Sequence, residues 1–562
     1  MSYTSLDPRI AAESQKIDPD VAFRSSTAHI HNTWARTFNS RPELYIQPHN
    51  LEEIQKIVKL ARRCRRRVVL VGCGHSPSDI TCTSSWMVNL DHYQDVLHAD
   101  LEKKRLTVQG GIRLRQLNEA AAWHGLTMPN LGSINDQSIA GAIATATHGS
   151  SLKHGLMSES VKSIRIVLGD GRAVKCSADE NVDLFRAALV SVGGLGILVE
   201  VEFQLQEHTN IEWTQTLKPL DWVLSEWDKN LWTRKEFTRV WWLPYMKRAV
   251  VWSAEKTDKP ERAAISSWYG GSVGYHTYHI LLWLSNRIPR ILPAIEWFVF
   301  GMQYGFSDDI ITSAIEPQRR GLLMNCLYSQ FVNEWALPLE KGPEAITRLS
   351  KWLNREPGHD IPFDNKGLYV HAPIEVRVSD TSRTETRPFL DNTNRNGPTL
   401  YLNATLYRPF LQDPPCRDRY YEAFEWLMKE LGGKPHWAKN FAFVNHNDIA
   451  YMFGENLTQY LKVRNETDPD GVFVGAWHRR YILPAETPAF ACEEKELART
   501  KAANGGQNWF GDLKSWPRSA DEKSALLSSV EGGEYDDLGG EERTRDETAA
   551  EGITGTKVFD KM

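Results

Sequence analysis

The amino-acid sequence predicts an α+β protein of more than one domain, and three observations carry that expectation. A chain of 562 residues is too long for a single core. Short β-branched runs alternate with helical patterns over residues 34–207, as expected of strands and helices packed in mixed layers. Residues 68–80, VVLVGCGHSPSDI, read as a buried strand that stops in a tight turn presenting one imidazole, His75. Gly72 and Gly74 let the backbone of that turn approach a ligand, and successive N–H groups in such a turn can cradle an anion. A GxGxxG fingerprint is not completed, because its third glycine position is Pro77.

Composition narrows the class. The formal net charge of −5 gives no sign of a nucleic-acid partner. From Asp521 onward 12 residues are acidic and 5 basic, so the negative charge sits in the tail. Seven cysteines with no CxxC pair argue against a disulfide framework and a zinc ribbon, and favour an intracellular, reducing compartment. The first residues lack a basic and an apolar region, so no secretory signal is expected.

Taken in order, residues 1–33 read as a loosely held arm. His29 and His31 share one face of a strand, but no further ligands lie nearby, so their expected role is structural. Asn50 caps a helix over LEEIQKIVKLARRC, with Glu53 completing the capping pair and Leu51, Ile54, Ile57, Val58 and Ala61 as its buried stripe. The arginines at 62, 63 and 65–67 are expected on a solvated face. Strands follow near 87–90 and 105–108, then a helix over 114–123 ended by Gly125. Residues 129–151, PNLGSINDQSIAGAIATATHGSS, are small and hydroxyl-rich, and suit a backbone lying flat against a planar ligand. A hairpin over 161–175, a helix over 183–189 and a glycine turn feeding the strand 197–201 close this half near Glu207.

The second half opens with strands at 239–243 and 249–252. Residues 275–306 hold two apolar patches, each short of the roughly 20 residues of a membrane span, and read equally as buried helices or as a membrane-facing pair. SQFVNEWALPL at 329–339 is a strand, with Glu334 and Trp335 expected near a cavity. LYVHAPIEVRV at 368–378 is a strand in which Glu375 and Arg377 share one face. Another strand covers 399–407, KPHWAK occupies 434–439, and DPDGVF at 468–473 forms a turn. From about 486 to 562 the pattern dissolves into an expected disordered acidic tail.

GCGHS together with GSINDQSIAGAIATATHGSS resembles the flavin domain of the vanillyl-alcohol-oxidase type. HWAK and the Glu-x-Arg pair narrow the resemblance to the aldonolactone oxidases, most like the fungal arabinonolactone branch, over about residues 34–483. The resemblance implies a two-subdomain PCMH-type FAD-binding domain over 34–207 and a substrate (cap) domain over 208–485. It implies FAD carried covalently by His75 and surrounded by Val71, Gly72, Cys73, Gly74 and Ser76. Ser133, Ser138, Gly141, Ala144, Thr145, His148, Gly149 and Ile197 would complete the cofactor site. Glu375, Arg377, His436 and Lys439 are the implied catalytic residues, Gly132 the position that gates oxygen, and no metal is implied.

The implied reaction is hydride transfer from C2 of an aldono-1,4-lactone, best D-arabinono-1,4-lactone, to FAD. Dioxygen becomes hydrogen peroxide and the product is an ascorbate-type enediol, D-erythroascorbate. L-Gulono- and L-galactono-lactone oxidases and alditol oxidases use the same scaffold and stay open, as does a non-catalytic flavin scaffold. The resemblance also implies association with a mitochondrial membrane.

Overall fold

The computed structural model describes residues 6–265, 269–324, 326–371 and 373–492. Asn50 caps the helix Leu51–Arg63 by accepting from Glu53 N at 2.9 Å, and Ile54, Ile57, Val58, Leu60 and Ala61 are buried along one stripe. That stripe covers a four-stranded sheet in which Val68–Val71 and Leu44–Ile46 both pair parallel with Trp86–Asn89. A second, antiparallel sheet runs in the order Ala173–Ser177, Val161–Val167, Ile197–Gln204, Arg105–Gln109 and Val96–Asp100.

Beyond Glu207 the chain enters an antiparallel sheet of eight strands. Their order is Ile311–Pro317, Asn210–Pro219, Arg248–Thr257, Phe237–Leu243, Ile374–Ser379, Thr399–Tyr407, Gln330–Pro338 and Lys434–Pro435. Register puts Trp241, Glu375, Asn403 and Glu334 opposite one another on four adjacent strands, forming a single row across the sheet. The strand Ile374–Ser379 is shorter than the expected 368–378, since Pro373 lacks a ladder N–H.

Three expectations about the periphery are corrected. The arm holds a helix, Pro8–Lys16, capped by Asp7, which packs on the helix Leu51–Arg63 and buries Ile10; Lys56 donates to Asp18 O and Val21 O. Arg66 and Arg67 are buried, one on Glu43 and the other on Val474 O, because the chain turns inward after the helix. Residues 486–492 are held at one end: Phe490 lies beneath the guanidinium groups of Arg464 and Arg479 and Cys492 is buried, while Glu486, Pro488 and Ala489 are exposed. The remainder of the expected tail lies outside the described residues.

The end of the described chain returns to its beginning. Asp468 accepts from Val472 N and Phe473 N at 2.8 Å each, and the turn so formed presents Val472 O to Val68 N at 2.7 Å. All seven cysteines are free.

Candidate active site

Two cavities meet at His75. The first lies between the two smaller sheets and is lined by residues 68–76, by Ser138, Ala140, Gly141, Ala144 and Thr145, and by Phe473 and His478 from the returning C-terminal segment. The small residues there form a helix, Ile139–Ala144, capped by Ser138, rather than the flat backbone expected. Ile139, Ala142 and Ile143 supply the helical spacing and face the core, which leaves Ala140, Gly141 and Ala144 to line the cavity. A Cβ on Gly72 would stand 2.7 Å from Ser138 Oγ, so only glycine lets these two walls approach.

His75 lines both cavities. Its ring stacks on Trp34 at 5.2 Å, and its Nδ1 is buried with no hydrogen-bond partner. Burial pulls its pKa down to about 4, overriding Asp136, which favours the charge. The imidazole is therefore neutral, with a nitrogen lone pair available.

The second cavity opens on the row across the large sheet. Glu334 is fully buried and accepts from His148 Nε2 at 2.9 Å, Arg377 Nη2 at 2.8 Å and Asn403 Nδ2 at 3.2 Å. Lys439 Nζ lies 3.6 Å away. Burial alone would raise the pKa of Glu334; Arg377, Lys439 and His148 overcome it and hold the carboxyl well below the usual range. Burial works to lower the pKa of Arg377, and Glu334 and Glu375 outweigh it and raise it. Glu375 Oε2 lies 3.4 Å from Arg377 Nε, while its Oε1 is buried with no partner. Burial lowers the pKa of His148 and drives that of His436 well down. His436 Nδ1 accepts from Ala438 N at 3.2 Å, so the neutral ring carries its proton on Nε2.

The family model for D-arabinono-1,4-lactone oxidase matches residues 201–481, and a model for an FAD-binding domain matches residues 42–177. A Neurospora crassa relative is 52% identical over 490 residues, covering 83% of this chain and 88% of its own. The D-arabinono-1,4-lactone oxidase of Yarrowia lipolytica is 40% identical, covering 81% and 98%. The Saccharomyces cerevisiae enzyme of the same name is 37% identical, covering 81% and 96%. This chain belongs to the D-arabinono-1,4-lactone oxidase family. It is an FAD-dependent oxidoreductase. A cholesterol oxidase from Brevibacterium sterolicum shares the fold, with a TM-score of 0.66 at 14% identity over 83% of this chain and 98% of that one.

The first cavity fits the FAD of this family. Its glycine-lined wall admits a ligand at backbone distance, and the orphaned His75 nitrogen marks the end that faces the second cavity. Val71, Gly72, Cys73, Gly74 and Ser76 line it as the resemblance implies, with Ser138, Gly141, Ala144 and Thr145. Four implied cofactor residues stand elsewhere. Ser133 and His148 line the second cavity, His148 as a partner of Glu334. Ile197 points into the core, while its neighbours Gly196 and Leu198 reach the FAD cavity, because side chains alternate along a strand. Gly149 lies against the Asn130 side chain and lines neither cavity. Gly132, Glu375, Arg377, His436 and Lys439 all line the second cavity.

Trp335 is a correction: it points away from Glu334, and its Nε1 bonds Asn333 Oδ1 in the core. Glu334 and Asn403 are the residues that the implied set omits. Their signal was a carboxylate and an amide inside strands otherwise apolar enough to be buried. His148, Glu334 and His436 offer ligand atoms within 4.8 Å of one another. A dication there would sit against Arg377 and Lys439, and the Glu334 carboxylate is already taken by His148, Arg377 and Asn403.

Proposed function

We propose that this chain oxidises D-arabinono-1,4-lactone at C2 with dioxygen as the final acceptor, yielding hydrogen peroxide and an ascorbate-type enediol. Bound FAD supplies the hydride acceptor. The observation that carries the reading is the row across the sheet: an ionised, fully occupied Glu334 beside a Glu375 whose Oε1 is free to meet a substrate. Glu334 has spent its oxygens on protein donors and serves to orient Arg377 and Lys439. Glu375 Oε1 accepts the hydrogen bond of the C2 hydroxyl and takes its proton as the hydride leaves. Arg377 and Lys439 stabilise the negative charge that develops on that oxygen, in a buried setting that strengthens each interaction. His436 donates from Nε2 and helps fix the lactone ring.

His75 carries FAD covalently on this reading, supported by its neutral ring and orphaned Nδ1. Gly132 leaves the oxygen path open. A Cβ there would press on Thr147 Cγ2 at 3.0 Å and stand 3.5 Å from His148 O.

A membrane contact is part of the same reading, at the paired helices Ser272–Ser285 and Leu292–Tyr304. Ile280, Leu284, Trp297 and Phe298 on them are exposed, and Phe306, Phe410 and Leu411 extend the patch. Among the described residues no helix is long and apolar enough to cross a membrane, so the contact is interfacial. A mitochondrial membrane is the expected surface, testable by fractionation of cells.

The deciding experiment is anaerobic mixing of the flavin-loaded protein with D-arabinono-1,4-lactone. Rapid bleaching of the flavin is expected, with L-galactono- and L-gulono-lactone slower. No bleaching by any lactone overturns the reading, and faster bleaching by open-chain alditols transfers it to that reaction.

A further inference from the structure

The helix Arg417–Glu430 packs against the strand Gln330–Pro338 and buries one carboxylate, Glu425, that the chemistry above does not use. Its Oε1 accepts from Asn333 Nδ2 at 2.7 Å and from Ala442 N at 3.0 Å, and its Oε2 accepts from Phe443 N at 2.9 Å. Asn333 precedes Glu334 in the chain, and Ala442 and Phe443 follow closely on Lys439. One carboxylate thus holds both of the segments that meet in the Glu334–Lys439 pair. That pair spans 3.6 Å, the longest of the Glu334 contacts, so its strength depends on where the two backbones are placed. The Asn333 amide cannot turn away, because its Oδ1 accepts from Trp335 Nε1 at 2.9 Å. Asn440 completes the seam, donating from N to Val332 O at 2.7 Å and accepting from Val332 N at 2.9 Å.

We propose that Glu425 is a positioning residue for the oxidation site, setting the spacing of Glu334 and Lys439 by gripping both segments as a carboxylate. The inference rests on the lactone reading given above. All three partners of Glu425 are donors, so a proton on it meets no acceptor among them; it takes the lone pair of Oε2 that no donor fills and weakens the three bonds by removing the charge they share. The other charged and titratable groups around it are Lys429, whose Nζ bonds Phe443 O at 3.0 Å, and two tyrosines. Tyr421 lies on the same helix, and Tyr481 bonds Phe441 O at 2.9 Å. Burial pushes the Glu425 carboxyl up to about 7, against Ala442, Phe443, Asn333 and Lys429, which favour the charge. The folded carboxyl therefore keeps its proton to higher pH than the unfolded one, whose value is 4.5. Ionising it costs stability as pH rises through that interval, and the same ionisation assembles the site.

The test is a double-mutant cycle on the flavin-loaded enzyme, read as the limiting rate of anaerobic flavin reduction by D-arabinono-1,4-lactone. Glu425→Gln keeps the volume but turns an amide NH2 toward one of the three donors. Expected is a loss of about tenfold with Lys439 present and less than about twofold in a Lys439→Met background. The wild-type rate falls as pH drops through about 7, and Glu425→Gln loses that limb. Equal fold-losses in the two backgrounds overturn the proposal, as does retention of the limb in Glu425→Gln. Should Glu425→Gln fail to load flavin, Glu425→Asp, which keeps the charge, takes its place in the same cycle with the same criterion. Wild-type enzyme that no aldonolactone bleaches overturns the lactone reading and this inference together, whereas parallel losses overturn this inference alone.

Discussion

Glu375 and Glu334 are neighbours in one row, separated by Asn403, yet they are held in opposite conditions. Glu334 has a partner for each oxygen, and Glu375 keeps one oxygen unpaired. Removing the acceptor is expected to slow the chemistry: Glu375→Gln lowers the flavin-reduction rate by about 10²-fold, measured by stopped flow. Arg377→Ala leaves Glu334 without its shortest contact in a buried setting, at a cost of about 3–5 kcal/mol in denaturant unfolding. An unchanged reduction rate in both variants would remove the pair from the chemistry. Because the pKa of Glu334 is depressed on folding, its stabilising contribution is present above 4.5 and is lost as pH falls through the folded value. At His75 the expected outcome is colour that stays with the acid-denatured chain and is absent from His75→Ala. Gly132→Ala should slow reoxidation by dioxygen and leave lactone reduction intact, since the Thr147 methyl has only to shift by tenths of an ångström. Equal reoxidation rates would sink that role.

Elements explain why the same residue types were read so differently from the sequence. The Glu-x-Arg pair was legible because period two follows from strand geometry alone. The helix Ile139–Ala144 was not, because its small residues carry little hydrophobic signal and Ser138 reads as one more hydroxyl until its cap is seen. The apolar pair of helices at 272–304 was legible as apolar, but a sequence does not tell which side of a helix has neighbours. Tyr278, Leu282, Val299 and Phe300 are covered, and Ile280, Leu284, Trp297 and Phe298 are not. Replacing Leu284, Trp297 and Phe298 together with serine is expected to abolish flotation with anionic vesicles while leaving lactone oxidation in solution unchanged. Flotation equal to wild type would refute a membrane role for this face.

Across the whole molecule the FAD cavity is closed by the far end of the chain. Phe473 and His478 reach it because Asp468 folds the turn that delivers Val472 to Val68. Asp468→Ala leaves two buried N–H groups unpaired and is expected to cost about 2–3 kcal/mol and to lower bound flavin per chain. Normal flavin content in that variant would mean that the closing turn does not retain the cofactor. By itself the sequence determined the glycine turn with its histidine, the capped helix, the positions of several strands and the family. Each of these rests on local spacing: a period of two or 3.6, a cap three residues from its partner, or a motif of adjacent residues. Only the tertiary structure decided that Glu334 gathers His148, Arg377 and Asn403 around one buried carboxylate, and that Phe473 and His478 line the first cavity. Those facts depend on strand order, register and chain return, which bring together groups hundreds of residues apart and leave no mark in the spacing of either partner.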